Sequence, residues 1–192
     1  ILFFGNIPNG AGLSSSASIE LAMSVVLKGL YNLDVDMIKM VKLSQKAENS
    51  FIGVNCGIMD QFAIGMGKKD SAILLDCNTL KYDYAPVVLK DAAIVIGNTN
   101  KRRGLADSKY NERRGECERA LSQLKEKLNI TSLGNLSIAE FEINKEIITN
   151  EIDRKRAKHA VYENQRTLEA VEKLGQGDIE AFGKLMNQSH VS

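Results

Sequence analysis

The chain has almost no net charge, few cysteines and no long apolar run. Each lack excludes something. Lys and Arg number 25 against 24 Asp and Glu, a formal net charge of +1. That balance removes the usual case for a binder of nucleic acid or another polyanion. With 44% hydrophobic residues, the chain is also far from the composition of a disordered segment. Cys56, Cys77 and Cys117 are odd in number, widely separated and not in C-x-x-C spacing. They make neither a zinc motif nor a disulfide framework, and a reducing, cytoplasmic compartment fits them best. No apolar run approaches the ~20 residues that a membrane helix requires. The chain opens Ile1-Leu2-Phe3-Phe4 with neither an initiator Met nor a signal peptide, and stops at His190-Val191-Ser192 without a closing element. Both ends therefore read as cuts through a longer protein. The 192 residues allow one or two domains, and a chain of this size buries roughly 70% of its unfolded surface.

What is present is ordered along the chain. Residues 1–7 read as the end of a strand, and Pro8-Asn9-Gly10-Ala11-Gly12 as a loop. From Ser14 the pattern turns helical, with Ala17, Leu21, Ala22, Val25 and Val26 at steps of three and four. A second helix starts at Asp34 or Asp36, either of which can cap it, and runs to about Asn49. Ile38, Val41 and Gln45 share a face with Glu48. A mixed, glycine-rich segment spans Gly53 to Gly67. Ser71–Cys77 and Ala92–Gly97 are β-prone apolar runs and read as strands. Residues 100–192 carry most of the charge, with helices predicted near 108–128, 136–148, 151–174 and 178–187. A domain boundary is placed between Lys81 and Asp91, around Pro86, dividing the chain into residues 1–90 and 91–192.

The stretch from Gly5 to Ala17, GNIPNGAGLSSSA, follows the first predicted strand and opens a helix. Glycines let the backbone approach a ligand closely. The first N–H groups of a helix lack internal partners and sit at the positive end of its dipole. Together they make an anion site, with phosphate as the usual occupant. The serines add hydroxyls, one of which could also ligate Mg²⁺. Two familiar loops are excluded. No Lys lies between Asn6 and Ser24, as a Walker A loop needs, and Ser15 stands where a Rossmann loop has its third glycine. A glycine-rich turn with a serine N-cap remains the plain structural alternative.

The string Pro8-x-Gly10-x-Gly12-Leu13-Ser14-Ser15-Ser16-Ala17 resembles the second motif of the GHMP kinases. The likeness narrows to the galactokinase family with Gln45-x-Ala47-Glu48-Asn49-x-Phe51-x-Gly53-Val54-x-Cys56-Gly57-Ile58-Met59-Asp60-Gln61-Phe62. Asn98-Thr99-Asn100-Lys101-x-Arg103, Ser108-x-Tyr110-Asn111-x-Arg113-Arg114, Arg156-Ala157-x-His159 with Glu163-Asn164-x-Arg166-Thr167, and Met186-Asn187-x-Ser189-His190 continue it along the whole chain.

The resemblance implies an α+β GHMP kinase fold. It consists of the end of a domain like ribosomal protein S5 domain 2, followed by the start of a ferredoxin-like domain. It implies ATP-dependent phosphorylation of α-D-galactose at C1, with ATP as co-substrate and Mg²⁺ as cofactor, in a protein that is monomeric and binds neither nucleic acid nor membrane. Pro8, Gly10, Ala11, Gly12, Leu13, Ser14, Ser15, Ser16 and Ala17 take the nucleotide-phosphate positions, and Ser16 and Glu48 the Mg²⁺ ligand positions. Asp60 takes the place of the catalytic base that also touches the sugar, with Gly57 and Tyr110 as further sugar contacts.

Plain readings stand beside these roles. Glu48 alone reads as a solvated carboxylate on a helix face. Asp60 reads either as a helix cap or as a carboxylate in an apolar setting, which must be paired or change its pKa. Tyr110 reads as an amphipathic packing residue. The basic run Arg154–His159 reads as a solvated helix face, since Glu151, Asp153 and Glu163 flank it. Met23, Met37 and Met40 read as core filler. Rival functions are a kinase for a related sugar, such as N-acetylgalactosamine or arabinose, and a galactose sensor without turnover. The family's N-terminal sugar signature and its third motif would lie before Ile1 and after Ser192, so residues 1–192 alone are expected to be inactive or nearly so.

Overall fold

The computed structural model describes residues 1–6, 11–98 and 108–192. Contacts divide the chain into two units, one built on Ile1–Tyr84 and the other on Ser108–Ser192.

The first unit is led by three helices. α1 (Ser15–Leu30) buries Ala17 and Leu21, the four-residue step that its sequence pattern predicts. α2 (Met37–Ala47) is capped by Asp36 and not by Asp34. The Asp36 carboxylate accepts from the Lys39 N–H at 2.7 Å, satisfying one of the donors left open at a helix start. The helix then widens into a π-turn, Glu48–Ile52. The Gly53 N–H closes it on the Glu48 carbonyl at 3.0 Å, and Gly53 takes a left-handed φ of 83°, a conformation that glycine reaches without steric cost.

α3 (Met59–Met66) lies inside the segment read only as mixed and glycine-rich. A strand, β1 (Ser71–Leu75), pairs with β2 (Tyr82–Pro86). The turn between them closes with the Asp76 N–H donating to the Lys81 carbonyl at 2.9 Å. A connection this short can only form a hairpin. Leu21, Met40, Val41, Ile58 and Phe62 form the buried centre, with Met37, Ile73, Leu75 and Tyr82 packed against it. Met37 and Met40 are thus core residues. The hairpin anchors the far end of α3. Phe62 meets Tyr82 edge to face at 5.2 Å between centroids, and the Tyr84 hydroxyl donates to the Met66 carbonyl at 2.6 Å.

Two predicted strands do not form. Residues 1–6 and Ala92–Gly97 have no regular structure and are exposed, Phe4 at 97% and Val95 at 87%. Both runs have strand composition, but a strand also needs a neighbour to close its backbone hydrogen bonds. Among the described residues the sheet consists of β1 and β2 alone. Ile7, at the end of the first run, lies outside the described residues.

The second unit is helical in its described part, with α4 (Ser108–Lys125), α5 (Ile138–Asn144), α6 (Glu151–Gln176) and α7 (Ile179–Val191). Their starts follow the predicted ones within two residues. Ala120, Leu124, Leu133, Leu136, Phe141, Ile148, Ala157 and Val161 make its core. The basic run on α6 is tied down more than a solvated face would be. Arg156 pairs with Glu116 at 2.9 Å, Arg154 donates to the Ile148 carbonyl at 2.8 and 3.1 Å, and Lys155 pairs with Glu151 at 2.8 Å. Asp153, 2% exposed, takes both bonds of the Arg119 fork at 2.7 and 2.9 Å. Among the described residues no helix is long and apolar enough to cross a membrane. All three cysteines are free thiols.

Candidate active site

The glycine-rich loop delivers the chain to an uncapped helix. Gly12 has a φ of 74°, and Ser14, at the N-cap of α1, is left-handed at φ 53°, ψ 43°. A non-glycine residue held there stores strain, commonly at functional sites. The Ser14 side chain makes no capping bond, and no acidic residue stands in the first turn. Ser14 thus stands at the N-cap, as the plain reading has it, but its side chain does not cap the helix. The Ser14 side chain leaves the first N–H groups of α1 uncapped, and that positive end of the dipole suits an anion. Ala11, Gly12, Leu13, Ser15, Ser16 and Ala17 surround this start. Pro8 and Gly10 lie outside the described residues. A cavity of about 350 Å³ adjoins the same turn, lined by Phe3, Phe4, Leu13, Ser15, Ile19 and Ala22 among others.

Glu48 is not a solvated carboxylate. It is 5% exposed, in the first position of the π-turn. Its Oε2 accepts from the Gln61 amide at 2.6 Å and from the Cys56 thiol at 3.3 Å. The same Gln61 amide reaches Oε2 of Glu20 at 3.4 Å. Burial raises the Glu20 carboxyl above its ordinary range, and the Glu48 charge adds to that, while the Gln61 bond opposes both. Burial likewise pushes the Cys56 thiol up to about 11, helped by its bond to Glu48, so it stays a neutral donor. The Gln45 amide holds the Cys56 carbonyl at 3.2 Å, which steadies the loop leading to Gly57.

Asp60 departs from its sequence reading. It is exposed, at the second position of α3, and Ile58 holds the N-cap without a side-chain bond. Successive helical residues turn by about 100°. Ile58, Gln61 and Phe62 occupy the inward face, so Asp60 points away from it. Asp60 is therefore neither buried nor the cap. Its carboxylate stands at the positive end of α3, which suits a negative charge. Gly57 is exposed in the preceding loop. Tyr110 belongs to the second unit, on the first turn of α4, half exposed. Thr99, Asn100, Lys101 and Arg103 of the motif after Ala92–Gly97 lie outside the described residues.

The donor set fits a hard divalent cation. Glu20 and Glu48 gather anionic oxygen around one neutral amide, and among the described residues neither carboxylate has a Lys or Arg partner. Ser16 stands one turn before Glu20 on the same side of α1. The Gln61 side-chain oxygen is buried with no donor. Among the described residues no three His, Cys, Asp or Glu side chains form a complete cage. Mg²⁺ asks for one or two protein ligands and takes the rest from water and phosphate.

Glu20 and Gln61 drew no functional reading from the sequence. Their available signals were the four-residue step from Ser16 and a lone amide within the otherwise apolar Ile58–Phe62 turn.

Residues 1–68 match the family model "GHMP kinases N terminal domain". Over the whole chain, 63% of residues are identical to a galactokinase of Clostridium beijerinckii and 66% to one of Fusobacterium nucleatum. The chain spans about half the length of these curated relatives, 49% and 50%. A crystal structure of Lactococcus lactis galactokinase complexed with galactose superposes with a TM-score of 0.92 at 54% identity, over 96% of this chain and 48% of that one. The phosphate-type helix start, the buried Glu48 and these likenesses agree: residues 1–68 match the GHMP kinase N-terminal domain, and the whole chain is similar to about half of a galactokinase.

Proposed function

We propose that this chain is part of a galactokinase, which transfers the γ-phosphoryl group of ATP to the C1 hydroxyl of α-D-galactose, yielding galactose 1-phosphate and ADP. The observation that carries the reading is the likeness to galactokinases along the full chain, one of them complexed with galactose. The start of α1 supports it, because no Ser14 side-chain cap covers the helix N-terminus that a polyphosphate would use.

In this reading Ala11 to Ala17, with Pro8 and Gly10, bind the nucleotide phosphates, and the adjoining cavity takes the base. Glu48 and Ser16 hold Mg²⁺. That ion would supply positive charge to neutralise the nucleotide phosphates. Asp60 orients the C1 hydroxyl and accepts its proton as the oxygen attacks phosphorus. Gly57 contributes its backbone and Tyr110 its hydroxyl to the sugar. Residues 1–90 belong to the first family domain, like ribosomal protein S5 domain 2, and residues 91–192 to a ferredoxin-like second one. The enzyme is cytoplasmic and monomeric.

The experiment is turnover of the full-length protein on a sugar panel, since residues 1–192 alone are expected to be nearly inactive. Galactose-dependent ADP release, exceeding that with N-acetylgalactosamine or arabinose at least tenfold, is the expected result. Sugar binding without turnover would instead make the protein a sensor.

A further inference from the structure

We propose that Gln61 is a positioning residue that holds the Glu48 carboxylate in place for a divalent cation; this rests on the kinase reading above. Gln61 is fully buried, yet it is polar. It neighbours Phe62 in a core of Leu, Met, Val, Ile and Phe side chains, where an apolar residue would pack at no polar cost. One end of its amide is used and the other is not. Nε2 lies 2.6 Å from Oε2 of Glu48 and 3.4 Å from Oε2 of Glu20, while Oε1 is buried without a donor. The two carboxylates favour this orientation of the amide, because an oxygen turned toward them would face two acceptors.

A residue that leaves its own acceptor unpaired in order to donate to two acids is placed for those acids. The Gln61 bond ends on Oε2 of Glu48, and the Cys56 thiol stands beside that oxygen at 3.3 Å while also facing Oδ1 of Asn49 at 3.2 Å. The Gln61 bond holds that oxygen in place, and a cation would be taken through the other oxygen of the carboxylate. The amide also joins three elements at one point: α1 through Glu20, the π-turn through Glu48, and α3 through Gln61 itself, one residue after Asp60. Partners of metal-ligating carboxylates usually set affinity by 10- to 100-fold.

The test uses Gln61→Met, which keeps length and packing but removes the amide, and Gln61→Asn, which keeps the amide but withdraws it from Glu48. Mn²⁺ binding is read by electron paramagnetic resonance, in the presence of a non-hydrolysable ATP analogue, on the intact protein. Thermal melting is run beside it. Both variants are expected to weaken Mn²⁺ binding about tenfold and to leave the KM for galactose within twofold. In a Glu48→Gln background, Gln61→Met is expected to have no further effect on Mn²⁺. Where Gln61→Met does not fold, Gln61→Asn decides. Mn²⁺ affinity within twofold of the parent, even with a lowered melting temperature, overturns the proposal and leaves Gln61 a packing residue. Failure of the parent to phosphorylate galactose would overturn the kinase reading instead, and the Mn²⁺ measurement separates the two.

Discussion

Asp60→Ala separates chemistry from scaffolding at one position. Asp60 is exposed on the first turn of α3, so its removal leaves no cavity and no buried partner behind. The folded state loses only a carboxylate at a helix N-terminus, about 0.3–1 kcal/mol. For a protein of this size or larger, that lowers the melting temperature by no more than about 2–4 °C. In the proposed role of general base, the same side chain would contribute about 10²–10⁴-fold in rate, equivalent to about 3–5 kcal/mol of barrier. The expected outcome is a turnover loss in that range, a nearly unchanged melting temperature and unchanged nucleotide affinity. Coupled ADP release, differential scanning fluorimetry and calorimetric titration with a nucleotide read the three quantities. Turnover within threefold of the parent removes Asp60 from the base role. A melting temperature lowered by 10 °C or more refutes the account of its environment.

Other consequences are simpler to read. Cys56 has its thiol pushed up to about 11 from an ordinary 9.0, chiefly by burial. At pH 8 its alkylation by iodoacetamide, followed by peptide mass spectrometry, is expected to be on the order of 100-fold slower than that of a free peptide thiol. The sign for stability follows from the same shift. Between pH 9 and 11 the unfolded thiol ionises while the folded one does not, so stability falls across that window. An alkylation midpoint near 9 would contradict the burial. Phe141 is fully buried in the core of the second unit. Phe141→Ala is expected to cost about 3–5 kcal/mol, read as a shifted urea midpoint at constant slope.

Elements that depend on local rules were readable in advance. α1 follows from its three- and four-residue apolar steps, and α4 to α7 from charge-rich helical patterns between glycine and capping residues. α3 escaped because eight residues flanked by glycines give barely two turns of periodicity. β2 escaped because Pro86 and Asp83 dilute a short strand pattern. The runs at residues 1–6 and Ala92–Gly97 were read too generously, since composition shows that a segment can be a strand but not that a partner is present. At the site, the loop and the carboxylates Glu48 and Asp60 stood out as motif positions, yet the environments expected for those carboxylates were reversed. Glu48 is buried and Asp60 is exposed.

The sequence by itself narrowed the candidate site to one loop and a few motif positions. A near-zero net charge removed the usual case for a polyanion binder, and one glycine- and serine-rich turn before a helix marked a candidate anion site. Both conclusions rest on residue identity and local backbone preference, which neighbours in sequence settle. Only the tertiary structure decided how the acids are held. Glu20, Glu48 and Gln61 are 13 to 41 residues apart along the chain. Burial, a shared amide and the raised Glu20 carboxyl arise only where α1, the π-turn and α3 converge, because desolvation depends on every element that packs around a group.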